Sequence, residues 1–488
     1  MKAILMDGSE FEYVHKDNPP CGTKKRTYFT PDKNFVAQFY LRKEDADDPK
    51  NRERLKKILE IYNPTISEAD GGAKGSTKQT AEYFYKLFCW PKALVQNPEF
   101  GIICPAYPRN FFFGSNSIKA GFNLNLAGRD KKSKWFTSST RKYLADSEKG
   151  DLQKMICISI ALSRAVRRLH AAGLAHSDLS SNNVLIDPVS GSCAVIDIDS
   201  LVVPGLFPPE VAGTRGYIAP EVLETLSLDF KDPKRKLPSI RTDLFALPVL
   251  IYEYLLKRHP LEGPKIHHPD STQDDFLAHG SKALFIENPR DTSNRPKTLK
   301  TTIKDLGPHL EKLFLQAFVD GLHNPLARPS ANEWERALVK TYDLLQPCSN
   351  PHCSEGWFVL YDIHRPVCPY CGKAVPRGNV MHLRLLGGRQ GNWLPTGEIN
   401  LYDNMPLFLW HFFANTFPDE KVQNRQMQAY ISRQNGEWYL INKSLQGMLS
   451  PRGNLVPAGK AIHLKDGSFF KSSNKPNALL LEVLKGQR

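Results

Sequence analysis

Apolar and polar positions change rhythm along this chain in a way that divides it. Near the start, Glu10–Val14, Arg26–Thr30 and Asn34–Leu41 alternate or run apolar like three strands, and Pro91–Val95 and Gly101–Cys104 read as two more. The period then lengthens. Asp151–His170 places Met155, Ile158, Leu162, Val166 and Leu169 at helical spacing, and Arg241–Gly263 is a long apolar helix with Asp243 near its start. From about Asn379 the pattern shortens again. His382–Leu386, Glu398–Leu401, Gln428–Ser432, Trp438–Ile441, Ala461–Leu464 and Ala478–Val483 are short alternating segments separated by Gly, Asn and Pro, which predicts a small β-sandwich.

Between the helical stretches, Val184–Ile186 reads as a strand, Asp187–Gly191 as a turn and Cys193–Ile196 as the returning strand. A hairpin of that length brings Asn183 and Asp197 back to one end, where Mg²⁺ or Mn²⁺ could sit between their oxygens. Just upstream, His176, Asp178 and Asn183 form the pattern H-x-D-x-x-x-x-N. These are the residue types phosphoryl transfer needs. A carboxylate, Asp178, accepts a proton from an attacking hydroxyl, and Asn183 with Asp197 holds a metal against ATP phosphates. His176 braces the loop, and Asp199 is the alternate metal ligand.

Three later segments strengthen this reading. Gly213–Glu221 reads GTRGYIAPE, Arg241–Gly263 carries Asp243, and Phe318–Glu335 reads FVDGLHNPLARPSANEWE. Together with the H-x-D-x-x-x-x-N loop they resemble, in order, the motifs of a eukaryotic-type protein kinase. The resemblance implies an α+β, bilobal fold, with an N-lobe over 1–107 and a C-lobe over 108–345. It implies that Asp243 braces the catalytic loop and that Arg328 pairs with Glu221. It also exposes departures. The loop Asp17–Lys25 has one glycine, so a basic cap of Lys24, Lys25 and Arg26 is a candidate for phosphate contact. The third-strand lysine is replaced by Gln38, or by Phe39 in the other register. An amide brings no positive charge, which leaves Lys24, Lys25 or Lys43 as a displaced lysine. The partner glutamate is expected on a helix over Pro49–Tyr62, at Glu53 or Glu60. Cys104 begins the expected hinge beside an adenine, with core packing as the other account. Ser177 stands where kinases that read a phosphorylated loop carry arginine, and Thr214 is expected to be structural.

Composition limits the alternatives. The 488 residues, 41% of them apolar, suffice for several cores. No apolar run approaches a membrane span and no signal-peptide core opens the chain, so a cytoplasmic protein is expected. The net charge of +14 suits acidic partners. Its main contributor, Arg129–Lys142, is read as a basic loop rather than a nucleic-acid patch, since no nucleic-acid-binding motif accompanies it. The polar stretch Lys265–Lys300, with His267 and His268, is read as a surface insertion.

Five of the nine cysteines are scattered. The other four are compact: Cys348-x4-Cys353, fourteen residues, then Cys368-x2-Cys371. Two such pairs suit a closed tetrahedral thiolate Zn²⁺ site in a ribbon over 346–376, with a rubredoxin-like iron site as the alternative. Disulfides are disfavoured beside five unpaired thiols.

Ala429–Phe470 resembles a forkhead-associated domain, placing that sandwich at 377–488. The family's phosphothreonine signatures are eroded, with Gln446-Gly447 standing for Asn-Gly, so docking is the expected role and Arg425 and Arg433 are the phosphate candidates. The order of kinase, cysteine ribbon and sandwich is similar to the bacterial kinase of the tellurite-resistance-associated phosphorylation triad. That resemblance implies a Ser/Thr kinase partnered by a von Willebrand A-domain protein and a metal-dependent phosphatase. A nucleotide-binding pseudokinase scaffold is the competing reading, favoured by Gln38.

Overall fold

The computed structural model describes residues 1–22, 24–203, 213–389 and 392–486. The stretch Gly205–Ala212, part of the expected substrate-facing segment, lies outside them, as does Thr23 of the expected phosphate loop. The chain divides into two compact units. The first comprises 1–150, 157–299 and 314–335, and the second 151–156, 300–313 and 336–488.

The first unit opens with a six-stranded antiparallel sheet in the order β2-β1-β5-β6-β4-β3. Its strands are β1 (Lys2–Leu5), β2 (Glu10–Glu12), β3 (Lys25–Phe29), β4 (Phe35–Tyr40), β5 (Ala93–Asn97) and β6 (Gly101–Pro105). The sequence pattern missed β1, a four-residue strand too short to show a period. Side chains alternate across the sheet, so each face carries its own core. Ala3, Tyr13, Tyr28, Ala37, Phe39, Val95 and Ile103 pack on one side. Val36, Tyr40, Leu94, Ile102 and Cys104 pack on the other, against Leu55 of the helix Pro49–Leu59. That helix is three residues shorter at its end than the pattern predicts. It starts at Pro49, in the first turn where a missing N–H costs nothing, and the Asp48 side chain accepts from the Lys50 N–H. A second helix, Lys78–Leu87, was not foreseen. Thr77 and Thr80 cap it reciprocally, and its Tyr83 hydroxyl accepts from Arg164 Nη1 at 2.7 Å.

The helical part is organised around Leu152–Ala171 and Ile240–Leu256. Nearly every residue of the latter is buried. Its apolar character all round reflects that position in the middle of the core. Among the described residues no helix is long and apolar enough to cross a membrane. The polar stretch after it contains a helix, Ser271–His279, which was expected to be a loop. His267 and His268 serve there through their backbone N–H groups, which both donate to Asp274. The basic run Arg129–Lys142 is largely used internally. Lys131 is buried against Glu148 at 2.8 Å, and Lys134 pairs with Glu253 at 3.3 Å.

In the second unit β9 (Leu345–Pro347) and β10 (Trp357–Val359) form an antiparallel pair beside the four clustered cysteines. Beyond them two four-stranded antiparallel sheets share one apolar core. One has β11 (Met381–Arg389), β12 (Asn392–Asn400), β17 (Phe469–Lys471) and β18 (Leu480–Lys485) in the order β12-β11-β18-β17. The other runs β13 (Pro406–Leu407), β14 (Ala429–Gln434), β15 (Glu437–Asn442) and β16 (Ala461–His463) in sequence. All six segments expected from alternation lie on or overlap strands. The short β13 and β17 were missed.

Candidate active site

The hairpin β7 (Val184–Asp187) and β8 (Ser192–Val195) sets the geometry of the acidic site. Val184 faces Val195, and one step further the Ile196 N–H donates to the Asn183 carbonyl at 3.0 Å. Asp197 therefore begins beside Asn183, as the sequence spacing requires. Its backbone is left-handed, φ 62° and ψ 39°, an uncommon state for a non-glycine residue. His176 lies beneath, fully buried, with its Nε2 2.9 Å from the Ile196 carbonyl oxygen.

Asp178 is held from two sides. The Asn183 amide donates from Nδ2 to Asp178 Oδ2 at 2.9 Å and to the Asp178 carbonyl at 2.8 Å. Thr214 donates its hydroxyl to Asp178 Oδ1 at 2.7 Å. This arrangement turns Asn183 Oδ1 away from both bonds, and it accepts no hydrogen bond among the described residues. The loop itself is braced by Asp243, whose carboxylate accepts from the backbone N–H groups of His176 at 2.8 Å and Ser177 at 3.2 Å and lies 3.0 Å from His170 Nε2. Ser177 takes φ 66°. Further out, Arg328 grips Glu221 with two bonds of 2.8 Å.

The strand side of the site departs from the expected arrangement. Lys25, Thr27 and Phe29 of β3 alternate onto the same sheet face as Val36, Gln38 and Tyr40 of β4, with Thr27 opposite Gln38 and Lys25 opposite Tyr40. This register places Gln38, not Phe39, on the face turned toward the helix Pro49–Leu59. Gln38 donates to Thr27 Oγ1 at 3.2 Å, and the buried Cys104 thiol lies 3.7 Å from Gln38 Oε1. Burial pushes that thiol far up, so Cys104 is a packing group. The cation comes from Lys25, two residue pairs along the ladder, and it is ion-paired with Asp199. Lys43 sits at the exposed start of a short helix.

Neither candidate glutamate faces the sheet. Glu53 points to solvent and pairs with Lys57, and Glu60 is exposed past the helix end. The inward face carries Asn51, Arg54, Leu55 and Ile58. The helical period makes the reason visible. Residues 51, 54, 55 and 58 share a stripe, and positions 53 and 60 lie off it.

The two aspartates also differ. Asp199 is 7% exposed. Burial alone would raise its carboxyl, but the charge and hydrogen bond of Lys25 hold it below the ordinary value. Asp197 is open to solvent. Its surroundings and the charge of Asp199 push its carboxyl up, partly offset by Lys25. A hard cation needs oxygen ligands, and the free Asn183 oxygen and the open Asp197 carboxylate are suited to one. A separate cavity of about 340 Å³ lies at the end of β6, lined by Phe35, Cys89, Pro105, Ala106 and Ala194 among others, and none of these acidic groups borders it.

In the second unit the four sulfur atoms of Cys348, Cys353, Cys368 and Cys371 lie within 4.8 Å of one another. Cys348 and Cys371 are 3.4 Å apart and Cys353 and Cys368 3.8 Å. A tetrahedron of sulfurs each about 2.3 Å from a central ion has edges of about 3.8 Å. The Asn350 N–H points at Cys348 Sγ from 3.4 Å. The donor set therefore fits a closed thiolate metal site. A second group that sequence reasoning did not single out, His259, Glu262 and His279, brings three potential ligand atoms together in the first unit. His259, however, already uses both ring nitrogens, on the Leu261 N–H at 3.2 Å and the Gly216 carbonyl at 3.0 Å.

Residues 137–316 match the protein kinase domain family. The chain is similar to the anti-Muellerian hormone type-2 receptor of Homo sapiens, 38% identical over 119 residues that make up 21% of this chain and 19% of that protein. It is 29% identical over 184 residues to the atypical protein kinase C of Drosophila melanogaster, covering 36% of this chain and 28% of that one. The Saccharomyces cerevisiae serine/threonine-protein kinase RAD53 matches at 27% over 139 residues, 27% of this chain and 16% of the relative. The chain thus spans less than a third of the length of these relatives. Among solved structures, the kinase domain of a Toxoplasma gondii specific rhoptry antigen aligns with a TM-score of 0.39 at 14% identity, over 70% of this chain and 85% of that one. The chain thus contains a protein kinase domain, and its relatives include serine/threonine kinases.

Proposed function

We propose that this protein is an ATP-dependent serine/threonine protein kinase whose phosphate-binding lysine has moved from β4 to β3. The observation that carries the reading is the doubly anchored Asp178, fixed by Asn183 and Thr214 beside the open Asp197. A carboxylate held this way orients a substrate hydroxyl and takes its proton. Asn183 and Asp197 are the residues that would hold Mg²⁺ or Mn²⁺, which when bound neutralises charge on the transferring phosphoryl group. Lys25 supplies the side-chain cation that Gln38 lacks, from the same sheet face. Asp243 keeps the loop in shape, and the Arg328–Glu221 pair anchors the far end of the segment.

The four cysteines are proposed to hold a structural Zn²⁺, since all positions are filled and none is left for a substrate. The C-terminal sandwich is proposed to be a forkhead-associated-like docking module. Arg433 is engaged with Asn379 and stacks over Trp438, 5.2 Å from its ring centroid, and Arg425 donates to the Glu420 carbonyl. Partners in a bacterial stress-response triad, a von Willebrand A-domain protein and a metal-dependent phosphatase, are proposed from the similarity of motif order. The domain limits 1–107, 108–345, 346–376 and 377–488 and a cytoplasmic location belong to the same proposal. The competing reading is a nucleotide-binding scaffold, favoured by Gln38 and by the lack of a glutamate on the buried stripe of Pro49–Leu59. Transfer from γ-labelled ATP with Mg²⁺ or Mn²⁺, offered to the protein itself, a generic substrate and an A-domain partner, decides between them. Label on wild type that vanishes in Asp178→Asn supports the kinase. Saturable ATP binding with no transfer supports the scaffold.

A further inference from the structure

The displaced lysine raises a question about its partner. A buried ammonium needs a fixed anion, and the helix Pro49–Leu59 offers none on its inward stripe. What it offers is a second cation: Arg54 is 4% exposed and donates to Asn51 Oδ1 at 2.7 Å. The anion comes instead from the far side of the site. Asp199, 174 residues from Lys25 along the chain, is ion-paired with it, and both side chains are only 10% exposed. Tyr40 joins the three elements. The Lys25 ammonium lies 5.6 Å from its ring centroid, and Asn51 hydrogen-bonds its hydroxyl. Asp197, two residues earlier, feels the charge of Lys25 but forms no ion pair with it among the described residues, and it opens to solvent.

We propose that Asp199 is the permanent anionic partner that positions Lys25 toward nucleotide phosphates, and that Asp197 alone of the two aspartates serves the metal. The acid that pairs with the strand lysine comes from the segment after β8 and not from the helix Pro49–Leu59. Asp199 is a positioning residue in this scheme, which rests on the kinase reading of the same site.

The test is ADP binding to the full-length protein by calorimetry, with and without Mn²⁺, together with thermal melting of each variant. Lys25→Met is expected to weaken ADP roughly ten- to a hundredfold, the worth of one charged hydrogen bond. Asp199→Asn should lose about as much, and the double variant should be no weaker than Lys25→Met alone. The Mn²⁺ dependence should survive in Asp199→Asn and disappear in Asp197→Asn. Additive losses, or a loss of Mn²⁺ dependence in Asp199→Asn, would overturn the proposal. If Asp199→Asn does not fold, Lys25→Arg must bind within a few-fold of wild type while Lys25→Met does not, and equal losses count against the pair. Wild-type ADP binding without phosphate transfer would remove the kinase reading and leave this one. Normal transfer and binding by Asp199→Asn would remove this one alone, and a wild type that binds no ADP removes both.

Discussion

Thr214 donates a 2.7 Å hydrogen bond to Asp178 across 36 residues of chain, so the segment entering the Ala219-Pro220-Glu221 motif is tied to the carboxylate that the site is built around. Gly213 makes that approach possible. It adopts φ +112°, and a Cβ there would stand 3.4 Å from the Ser177 carbonyl and 3.2 Å from Ile218. Thr214→Val keeps the shape and removes the donor. It should lower kcat roughly ten- to a hundredfold with little change in KM for ATP, because the bond orients Asp178 rather than the nucleotide. Asp178→Asn should cost about a hundredfold or more. Steady-state kinetics with varied ATP separates the two effects.

Gln38 makes a neutral bond to Thr27 and lies beside the Cys104 thiol. Gln38→Met should therefore leave ADP affinity within a few-fold of wild type, in contrast to Lys25→Met. Gln38→Lys would bring a third cation near Lys25 and Arg54, and it should lower the melting temperature rather than improve binding. Binding and melting curves of these three variants check the assignment of the cation to β3.

The comparison of chain and fold follows from what each signal encodes. Asn183 and Asp197 were placed correctly because hairpin length alone brings them together. Asp243, Glu221 and Arg328 carried motif spacing, and their contacts are where the motifs require them. The choice among Lys24, Lys25 and Lys43 was not legible, since it depends on cross-strand register, Lys25 opposite Tyr40, and on a partner 174 residues away. The Glu53 and Glu60 expectation failed for a local reason. It looked for a residue type and did not ask which positions share a stripe with Leu55 and Ile58. The helices Lys78–Leu87 and Ser271–His279 sit in polar sequence, where a capping residue such as Thr77 or Asp270 was the available signal.

Arg328 is nearly sealed from solvent and donates to Glu221 and to the carbonyls of Gly321, Arg241 and Leu322. Arg328→Met leaves Glu221 and three carbonyls short of their donor. A loss of about 3 kcal/mol is expected, which in a unit as large as the first lowers the melting temperature by roughly 5 °C. Scanning calorimetry of the two proteins measures it, and a shift under 2 °C would show that the pair is replaceable by packing.

The cysteine cluster predicts one zinc ion per chain. Elemental analysis of purified protein should find close to one equivalent, and Cys353→Ser or Cys371→Ser should lower it severalfold. Chelation should lower the melting temperature of wild type, because a site formed only in the folded chain adds its binding energy to folding. Stoichiometric iron in place of zinc would identify the rubredoxin-like alternative.

His259 predicts an acid limit to stability. Burial, and then the neighbouring His279, press its pKa from 6.5 to about 3, with Lys134 acting in the same direction and the Gly216 carbonyl and Asp275 opposing. Between those values the unfolded chain binds a proton that the folded chain does not, so stability rises with pH and is lost as pH falls below 6.5. The slope contributed is about 1.4 kcal/mol per pH unit. His259→Gln cannot take up that proton. It should be less stable than wild type at neutral pH, because it loses the fit to Gly216 and Leu261, but its stability should fall less steeply between pH 6.5 and 4.5. Urea unfolding at a series of pH values reads the two slopes directly. Parallel lines would mean that His259 is protonated in the folded state and that its ring is not sealed against Gly216.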